Sequence, residues 1–192
     1  NSALISMTEH KLQGPKGSRL LYIRKGVRIE NLICGGAQER NKRAGTENVA
    51  GIVGLDAALQ LAVDGMDERN AKLEKMRDRL IDGLLKIERS RINGDRVHRL
   101  PGNVNMCFEG IEGESLLLRL DLKGVSASSG SACTSGSLDP SHVLLAIGLP
   151  HEIAHGSLRL TLSEKNTMEE IDYTVDELKK IIERLRGMSP LY

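Results

Sequence analysis

Residues 104–128, VNMCFEGIEGESLLLRLDLKGVSAS, decide the fold because they join three secondary-structure patterns in one short stretch. The apolar segment 104–108 predicts a strand, the leucine-rich segment 114–122 a helix, and residues 125–128 a second short strand. Working outward, further strands are predicted at 3–7, 20–23 and 158–162, and further helices at 48–63, 67–88, 141–147 and 167–186. Strands that alternate with helices predict an α/β fold.

Gly65 separates two predicted helices that differ in composition. Residues 48–63 are apolar and alanine-rich, which predicts a buried helix, whereas residues 67–88 are highly charged. In the charged helix a single apolar stripe recurs at spacings of three and four, made by Leu73, Met76, Leu80, Leu84 and Ile87. We therefore predict a domain boundary near Gly65, with one domain at 1–65 and a second at 66–192.

Composition argues against several functional classes. The formal net charge is +1, so broad electrostatic binding to nucleic acid or to an anionic membrane is not expected. No apolar run approaches the length of a membrane span, and no signal peptide is visible. The three cysteines include no CxxC pair, which predicts neither a disulfide framework nor a metal site and favours a reducing, cytoplasmic compartment.

Cys133 is the candidate nucleophile of the sequence. It lies in a loop of small residues, SSGSACTSGS at 128–137, which leaves the thiol uncovered, whereas a packing cysteine has apolar neighbours. Cys107 is the contrast, because the strand pattern at 104–108 predicts a core residue. A structural role for Cys133 remains the alternative.

Two cations and one loop are candidates for ligand binding. Lys11 follows a predicted strand, where an amine can lose solvent and become reactive, although most lysines, Lys16 included, are surface groups. Arg159 interrupts an apolar strand and needs either a structural ion pair or a carboxylate ligand. Small residues at 35–37, with Arg43 and Thr46, suit a phosphate, although an ordinary loop is the alternative.

Taken together, these segments resemble class I cysteine desulfurases of the NifS/IscS type, and the resemblance runs from Ser6 to Tyr192. The matching motifs are HK at 10–11 with GPKG at 14–17, GG at 35–36, QE at 38–39, Arg43, GTEN at 45–48, EGES at 112–115, SSGSAC at 128–133 and MSPLY at 188–192. The resemblance implies a fold-type I transferase dependent on pyridoxal 5'-phosphate. Residues 1–65 would be the end of its large cofactor-binding domain, and residues 66–192 its small C-terminal α/β domain.

The resemblance also implies roles for individual residues. Lys11 would bind the cofactor covalently through its amine, and Thr8 and His10 would bind its phosphate. Thr46 would reach the phosphate of the partner subunit in a homodimer. Arg159 would hold the substrate carboxylate, and Cys133 would accept the sulfur.

The implied reaction converts L-cysteine to L-alanine and leaves a persulfide on Cys133, which supplies an iron–sulfur scaffold or another sulfur-acceptor protein. The family's ring-stacking histidine and pyridine-paired aspartate precede the matched segments. We therefore expect a C-terminal half that does not desulfurate cysteine alone.

Three alternatives stay open, namely a selenocysteine lyase, a desulfurase serving tRNA thiolation and a non-catalytic scaffold. The joint retention of Lys11, Cys133 and Arg159 speaks against the scaffold. Three positions depart from the common family pattern: Glu9, where a small residue is usual, Ala37, where a third glycine is usual, and Cys34, where histidine is frequent. Of these, Glu9 bears most on cofactor affinity, because its negative charge lies in the phosphate-binding segment.

Overall fold

The computed structural model describes residues 2–129 and 140–188 of the chain. These divide into two compact units, Asn1–Met66 and Asp67–Tyr192. In the first unit, strand β1 (Leu4–Thr8) pairs antiparallel with β2 (Arg19–Ile23), so that Leu4 faces Ile23 and Thr8 faces Arg19. A short 3₁₀ helix, η1 (Glu9–Leu12), lies between the two strands. A long loop with one short turn of helix, α1 (Gln38–Asn41), leads to α2 (Val49–Val63).

Helix α2 approaches the turn at residues 14–18 closely because its facing residues are small. Gly51, Gly54 and Ala58 recur at spacings of three and four and therefore lie on one face. A Cβ added at Gly54 would lie 2.6 Å from Pro15 Cγ, and one added at Gly14 would lie 3.1 Å from Ala58 Cβ. The missing side chains thus bring α2 against the turn that follows Lys11.

The prediction that α2 is buried is wrong in the structure described. Only Gly51, Leu55 and Ala58 are buried along this helix. Leu59 is half-buried, and five further large apolar side chains are exposed, namely Val49, Ile52, Val53, Leu61 and Val63. Within the first unit, η1 and the turn at 14–18 pack against one face of α2.

The second unit is built on a three-stranded antiparallel sheet in the order β3 (Ser90–Ile92), β4 (Asn103–Phe108), β5 (Ser157–Thr161). Its helices are α3 (Met66–Leu84), α4 (Gly113–Asp121), α5 (His142–Ala146), α6 (His151–His155) and α7 (Met168–Met188). The mixed strands and helices confirm the predicted α/β class.

The sheet of the second unit is buried along one face, and its other face is buried at Cys107 and Ser157. Alternate residues of β4 and β5 join the main core with α3, α4 and α7, as shown by Met106, Phe108 and Leu158 at 0% exposure. Cys107 points to the other face, where it packs with Leu144, Leu149 and Ala154. The predicted apolar stripe of α3 and the core position of Cys107 are both confirmed.

Among the smaller elements, some sequence predictions are confirmed by the structure and others are not. The sequence TMEE at 167–170 predicts a capping box, and it is present, since Thr167 Oγ1 accepts from Glu170 N at 3.3 Å and Glu170 Oε2 accepts from Thr167 N at 3.2 Å. The strand predicted at 125–128 is reduced to one pairing, between Ser128 and Arg159. Neither β3 nor α6 was predicted. Among the described residues no single helix is long and apolar enough to cross a membrane, although the bent pair α2 and α3 passes that test together.

Candidate functional site

The lysine corner, which we define as Thr8, His10 and Lys11, lies where β1 turns into η1. The 3₁₀ helix ends at Leu12 and is capped by Gln13, which has a left-handed φ of 65°, and Gly14 N donates to Glu9 O at 2.9 Å. Lys11 and His10 are exposed, so the loss of solvent expected for Lys11 is not found in this structure. No described residue hydrogen-bonds or forms an ion pair with the three side chains. The corner therefore presents an amine, an imidazole and a hydroxyl that are free to bind a ligand.

Glu9, the acidic departure within this segment, turns away from solvent. Its side chain is 0% exposed, and its Oε1 accepts a hydrogen bond from Ser18 N at 2.6 Å. Ser18 Oγ in turn accepts from Asn48 Nδ2 at 3.4 Å, and Asn48 Oδ1 caps α2 by accepting from Gly51 N at 3.2 Å. The carboxylate thus ties η1 to the start of β2 and to α2. The charged group of Glu9 therefore lies on the buried side of the corner, whereas Lys11 lies on the exposed side.

The donor set of the lysine corner fits pyridoxal phosphate. A primary amine without a partner can attach to the cofactor aldehyde, and a neighbouring hydroxyl and imidazole can donate hydrogen bonds to a phosphate. The exposed Thr46 belongs to the same unit, in the loop where Gly45 N donates to Gln38 Oε1 at 3.1 Å. Within that loop Arg43 Nη1 donates to Ala44 O at 2.9 Å. The assignment of Thr46 to a phosphate stays a prediction.

Arg159 is held in the second unit by strands on both sides. It lies opposite Asn105 of β4, and on the other side its N–H donates to Ser128 O at 2.6 Å while its carbonyl accepts from Ser128 N at 3.0 Å. Leu158 and Leu160 point into the core, so the guanidinium of Arg159 lies on the opposite face of the sheet. No described residue forms an ion pair or a side-chain hydrogen bond with it. Of the two alternatives, this favours a ligand over a structural ion pair.

The loop of small residues begins next to this arginine. Gly113 makes room for its stem, because a Cβ at this position would lie 2.9 Å from Ser129 Cβ. The sequence pattern alone does not predict that Ser128 and Arg159 are bonded, since the two residues are far apart in the chain. Cys133 itself lies outside the described residues.

The two described cysteines differ in accessibility. Cys107 is 0% exposed, and burial raises the pKa of its thiol although Asn93 Nδ2 lies 3.1 Å from its Sγ. Cys34 is exposed, and its Sγ lies 3.6 Å from Asn31 O. The glycine-rich sequence around Cys34 predicts a packed loop that protects this thiol, and the exposure of Cys34 shows that this prediction is wrong. Burial disfavours persulfide formation on Cys107 but does not disfavour it on Cys34.

The fold and the lysine corner together indicate a transferase of the aminotransferase type. The chain belongs to the aminotransferase class-V family, whose sequence pattern it matches over residues 2–174. This family implies a pyridoxal phosphate cofactor.

Individual relatives show which members of this family the chain resembles. The chain is 60% identical over 195 residues to cysteine desulfurase IscS of Clostridium botulinum (strain Hall), covering 100% of this chain and 49% of that protein. It is 58% identical over 191 residues to cysteine desulfurase IscS of Methanosarcina thermophila, covering 100% of this chain and 47% of that protein. The resemblance to cysteine desulfurases predicted from the motifs is confirmed. The chain spans about half the length of the curated relatives it matches.

Solved structures agree with this relationship. A NifS-like protein has a TM-score of 0.83 and 37% identity, covering 94% of this chain and 46% of that one. A NifS-like protein from Rickettsia africae has a TM-score of 0.84 and 30% identity, covering 94% of this chain and 48% of that one.

Proposed function

We propose that this chain takes part in desulfuration of L-cysteine with pyridoxal 5'-phosphate, forming L-alanine and a persulfide on Cys133. One observation carries the proposal: the two cations that such a reaction needs, Lys11 and Arg159, have no partner among the described residues. Unpaired cations beside folded backbone are available to a cofactor and to a substrate carboxylate. The relatives named cysteine desulfurase support the same reaction.

The lysine corner holds the cofactor in this proposal. Lys11 binds it covalently through Nζ, while Thr8 and His10 donate hydrogen bonds to its phosphate, with Thr46 contributing across a homodimer. When bound, pyridoxal phosphate supplies an electron sink for the bonds around the substrate α-carbon. The Nζ of Lys11 would be the group that moves protons to and from the substrate carbons.

Arg159 orients the substrate. A guanidinium offers two parallel N–H donors that match the two oxygens of a carboxylate, so it fixes both position and rotation. Backbone hydrogen bonds to Ser128 couple this clamp to the stem of the Cys133 loop. A bound cysteine is thereby presented at the root of the loop that receives its sulfur.

The sulfur transfer balances without an external oxidant. The Cys133 thiolate attacks the sulfur of the substrate, a sulfur–sulfur bond forms, and the bond between that sulfur and the substrate β-carbon breaks. The β-carbon takes up a proton, which yields alanine, and Cys133 keeps the sulfur as a persulfide. A sulfur-acceptor protein, such as an iron–sulfur scaffold, then receives this sulfur. We place the reaction in the cytoplasm, because the cysteine pattern suits a reducing compartment.

The first experiment tests the lysine, in the full-length gene product that carries this sequence. Borohydride reduction after incubation with pyridoxal phosphate should add the cofactor mass to the peptide containing Lys11. Lys11→Ala should abolish this mass, the visible absorption band and alanine formation, whereas Lys16→Ala should retain all three. Loss in Lys16→Ala with retention in Lys11→Ala would refute the assignment.

The second experiment tests the acceptor thiol. Cys133→Ser should keep the cofactor mass on Lys11 but lose sulfur transfer from labelled cysteine. Cys34→Ser is the necessary control, because Cys34 is the exposed thiol among the described residues. Labelled sulfur that persists in Cys133→Ser and disappears in the double variant would move the persulfide to Cys34.

A further inference from the structure

Three arginines of the second unit form a cluster with buried N–H groups that lack acceptors. The arginine cluster consists of Arg77 on α3 and Arg96 and Arg99 in the loop between β3 and β4. Four of its nitrogens are buried without a hydrogen-bond partner: Arg77 Nη1, Arg96 Nη1, and Arg99 Nε and Nη1. A buried donor left unsatisfied is costly, so such groups are rare in folded proteins.

Arg77 and Arg96 lie close enough to Arg99 for their charges to act on it. Burial lowers the pKa of Arg99, and the charges of Arg77 and then Arg96 lower it further. Arg77 is the deepest of the three, with its side chain 6% exposed. Arg96 is 35% exposed, so the cluster is open to solvent on that side.

Nearby carboxylates do not satisfy the cluster. Asp78 accepts from Arg77 Nε at 2.9 Å and Asp82 from Arg96 Nη2 at 2.8 Å, but their side chains are 47% and 65% exposed. Asp95 uses Oδ1 to accept the backbone N–H groups of Val97 and His98, at 2.7 and 2.6 Å.

No described carboxylate forms an ion pair or a hydrogen bond with Arg99, although the charges of Asp95 and Asp78 partly oppose the effect of Arg77 and Arg96 on its pKa. It donates through Nη2 to the carbonyl of Asn93 at 2.9 Å, and its other two nitrogens remain free. The nearby carboxylates are exposed to solvent and do not accept hydrogen bonds from the buried arginine nitrogens. These nitrogens therefore lack acceptors.

We propose that the arginine cluster is a binding site for a tetrahedral phosphoryl anion, either inorganic phosphate or a phosphate monoester. Such an anion carries several acceptor oxygens at the spacing of a guanidinium fork and would satisfy donors of two or three arginines together. Its charge also relieves the repulsion among the cations. The site lies wholly within Asp67–Tyr192, which contains neither Lys11 nor Thr46, so it does not depend on the cofactor.

The test measures binding of inorganic phosphate to the full chain by isothermal titration and by thermal unfolding, against chloride at matched ionic strength. Phosphate should bind saturably and raise the unfolding temperature, because a ligand that binds the folded state stabilises it. Arg99→Gln and Arg96→Gln should each raise the Kd about 10- to 100-fold, as expected for loss of hydrogen bonds to a charged group. Phenyl phosphate separates the two sources, since it binds comparably if a monoester is accepted and fails if only free phosphate fits.

Two control variants locate the binding. Arg79→Gln removes an exposed arginine of the same helix, paired with Asp172 at 2.8 Å, and should leave the Kd within about twofold. A variant with Thr8→Val and His10→Gln should also leave it unchanged. No saturable effect over chloride, an unchanged Kd in Arg99→Gln, or loss of binding in the Thr8 and His10 variant would overturn the proposal.

Discussion

The two units of the chain differ in how they bury apolar side chains. The second unit closes a core around its sheet, with ten residues at 0% exposure in the main cluster: Ile81, Leu84, Val104, Met106, Phe108, Leu116, Leu120, Leu158, Leu178 and Ile182. In the described part of the first unit the buried apolar side chains are Ala44, Leu55 and Ala58. The first unit is held instead by a hairpin, a capped helix and the bond from Glu9 to Ser18.

This difference teaches that the candidate chemistry is divided between a weakly supported unit and a self-supporting one. The lysine corner lies in the first, and Arg159 with the stem of the Cys133 loop lies in the second. Burial of apolar area is the main source of folding free energy, so the second unit should hold most of the stability. Variants matched across the units test whether this division is real.

The largest expected effect is on the free energy of unfolding of the second unit. Leu158→Ala deletes a side chain at 0% exposure and should cost about 2 to 5 kcal/mol. Val53→Ala, on the exposed face of α2, should change the free energy by less than about 0.5 kcal/mol. Urea unfolding of the two variants measures both values, and a Val53→Ala cost equal to that of Leu158→Ala would break the comparison.

A smaller effect is expected from the buried carboxylate of the first unit. Glu9→Ala leaves Ser18 N without its acceptor and opens a cavity beneath the turn, which should cost about 1 to 3 kcal/mol of local stability. Relief of a buried charge opposes this loss, and Glu9→Gln, which keeps an acceptor oxygen, should cost less. Limited proteolysis should cut residues 1–66 of Glu9→Ala faster, with an unchanged rate in the control Glu30→Ala. Equal rates in Glu9→Ala and wild type would show that the carboxylate contributes nothing.

The smallest expected effect is on the pH dependence of the second unit. Two lysines lower the pKa of Glu177. Lys180 Nζ lies 2.7 Å from Glu177 Oε1, and Lys123 Nζ lies 3.0 Å from Glu177 Oε2. A lowered pKa gives stability that is present above the ordinary carboxyl value of about 4.3 and is lost as the pH falls through the folded value. Glu177→Gln should flatten this acid limb of the thermal stability profile, whereas Glu183→Gln on the same helix should leave it intact. Identical profiles for the two variants would contradict the assignment.

Much of the second unit could be predicted from sequence because its signals are local. The apolar stripe of α3 and the Thr167–Glu170 capping box depend on residues three or four apart, and both are present. Strand β3 was missed because three residues, one of them charged, carry too short a pattern, and their pairing with β4 is not local. The strand expected at 125–128 failed because only Ser128 meets a partner.

The first unit shows what local patterns cannot supply. Apolar composition alone predicted a buried α2, but burial depends on what packs against it. The Lys11 segment was recognisable from its motif, whereas the inward turn of Glu9 requires Ser18 to lie beside it. Arg77, Arg96 and Arg99 look like ordinary surface charges in the sequence, because only the fold brings α3 and the loop after β3 together.

Hydrogen exchange of the chain, followed by mass spectrometry, tests the division between the units most directly. Amides of β4, β5 and α7 should exchange only through global unfolding of the second unit, while β1, β2 and α2 should exchange at least about 100-fold faster through local opening. That result would show that the lysine corner depends on support beyond the first unit's own core. Equal protection of β1, β2 and α2 with β4 and β5 would contradict the account.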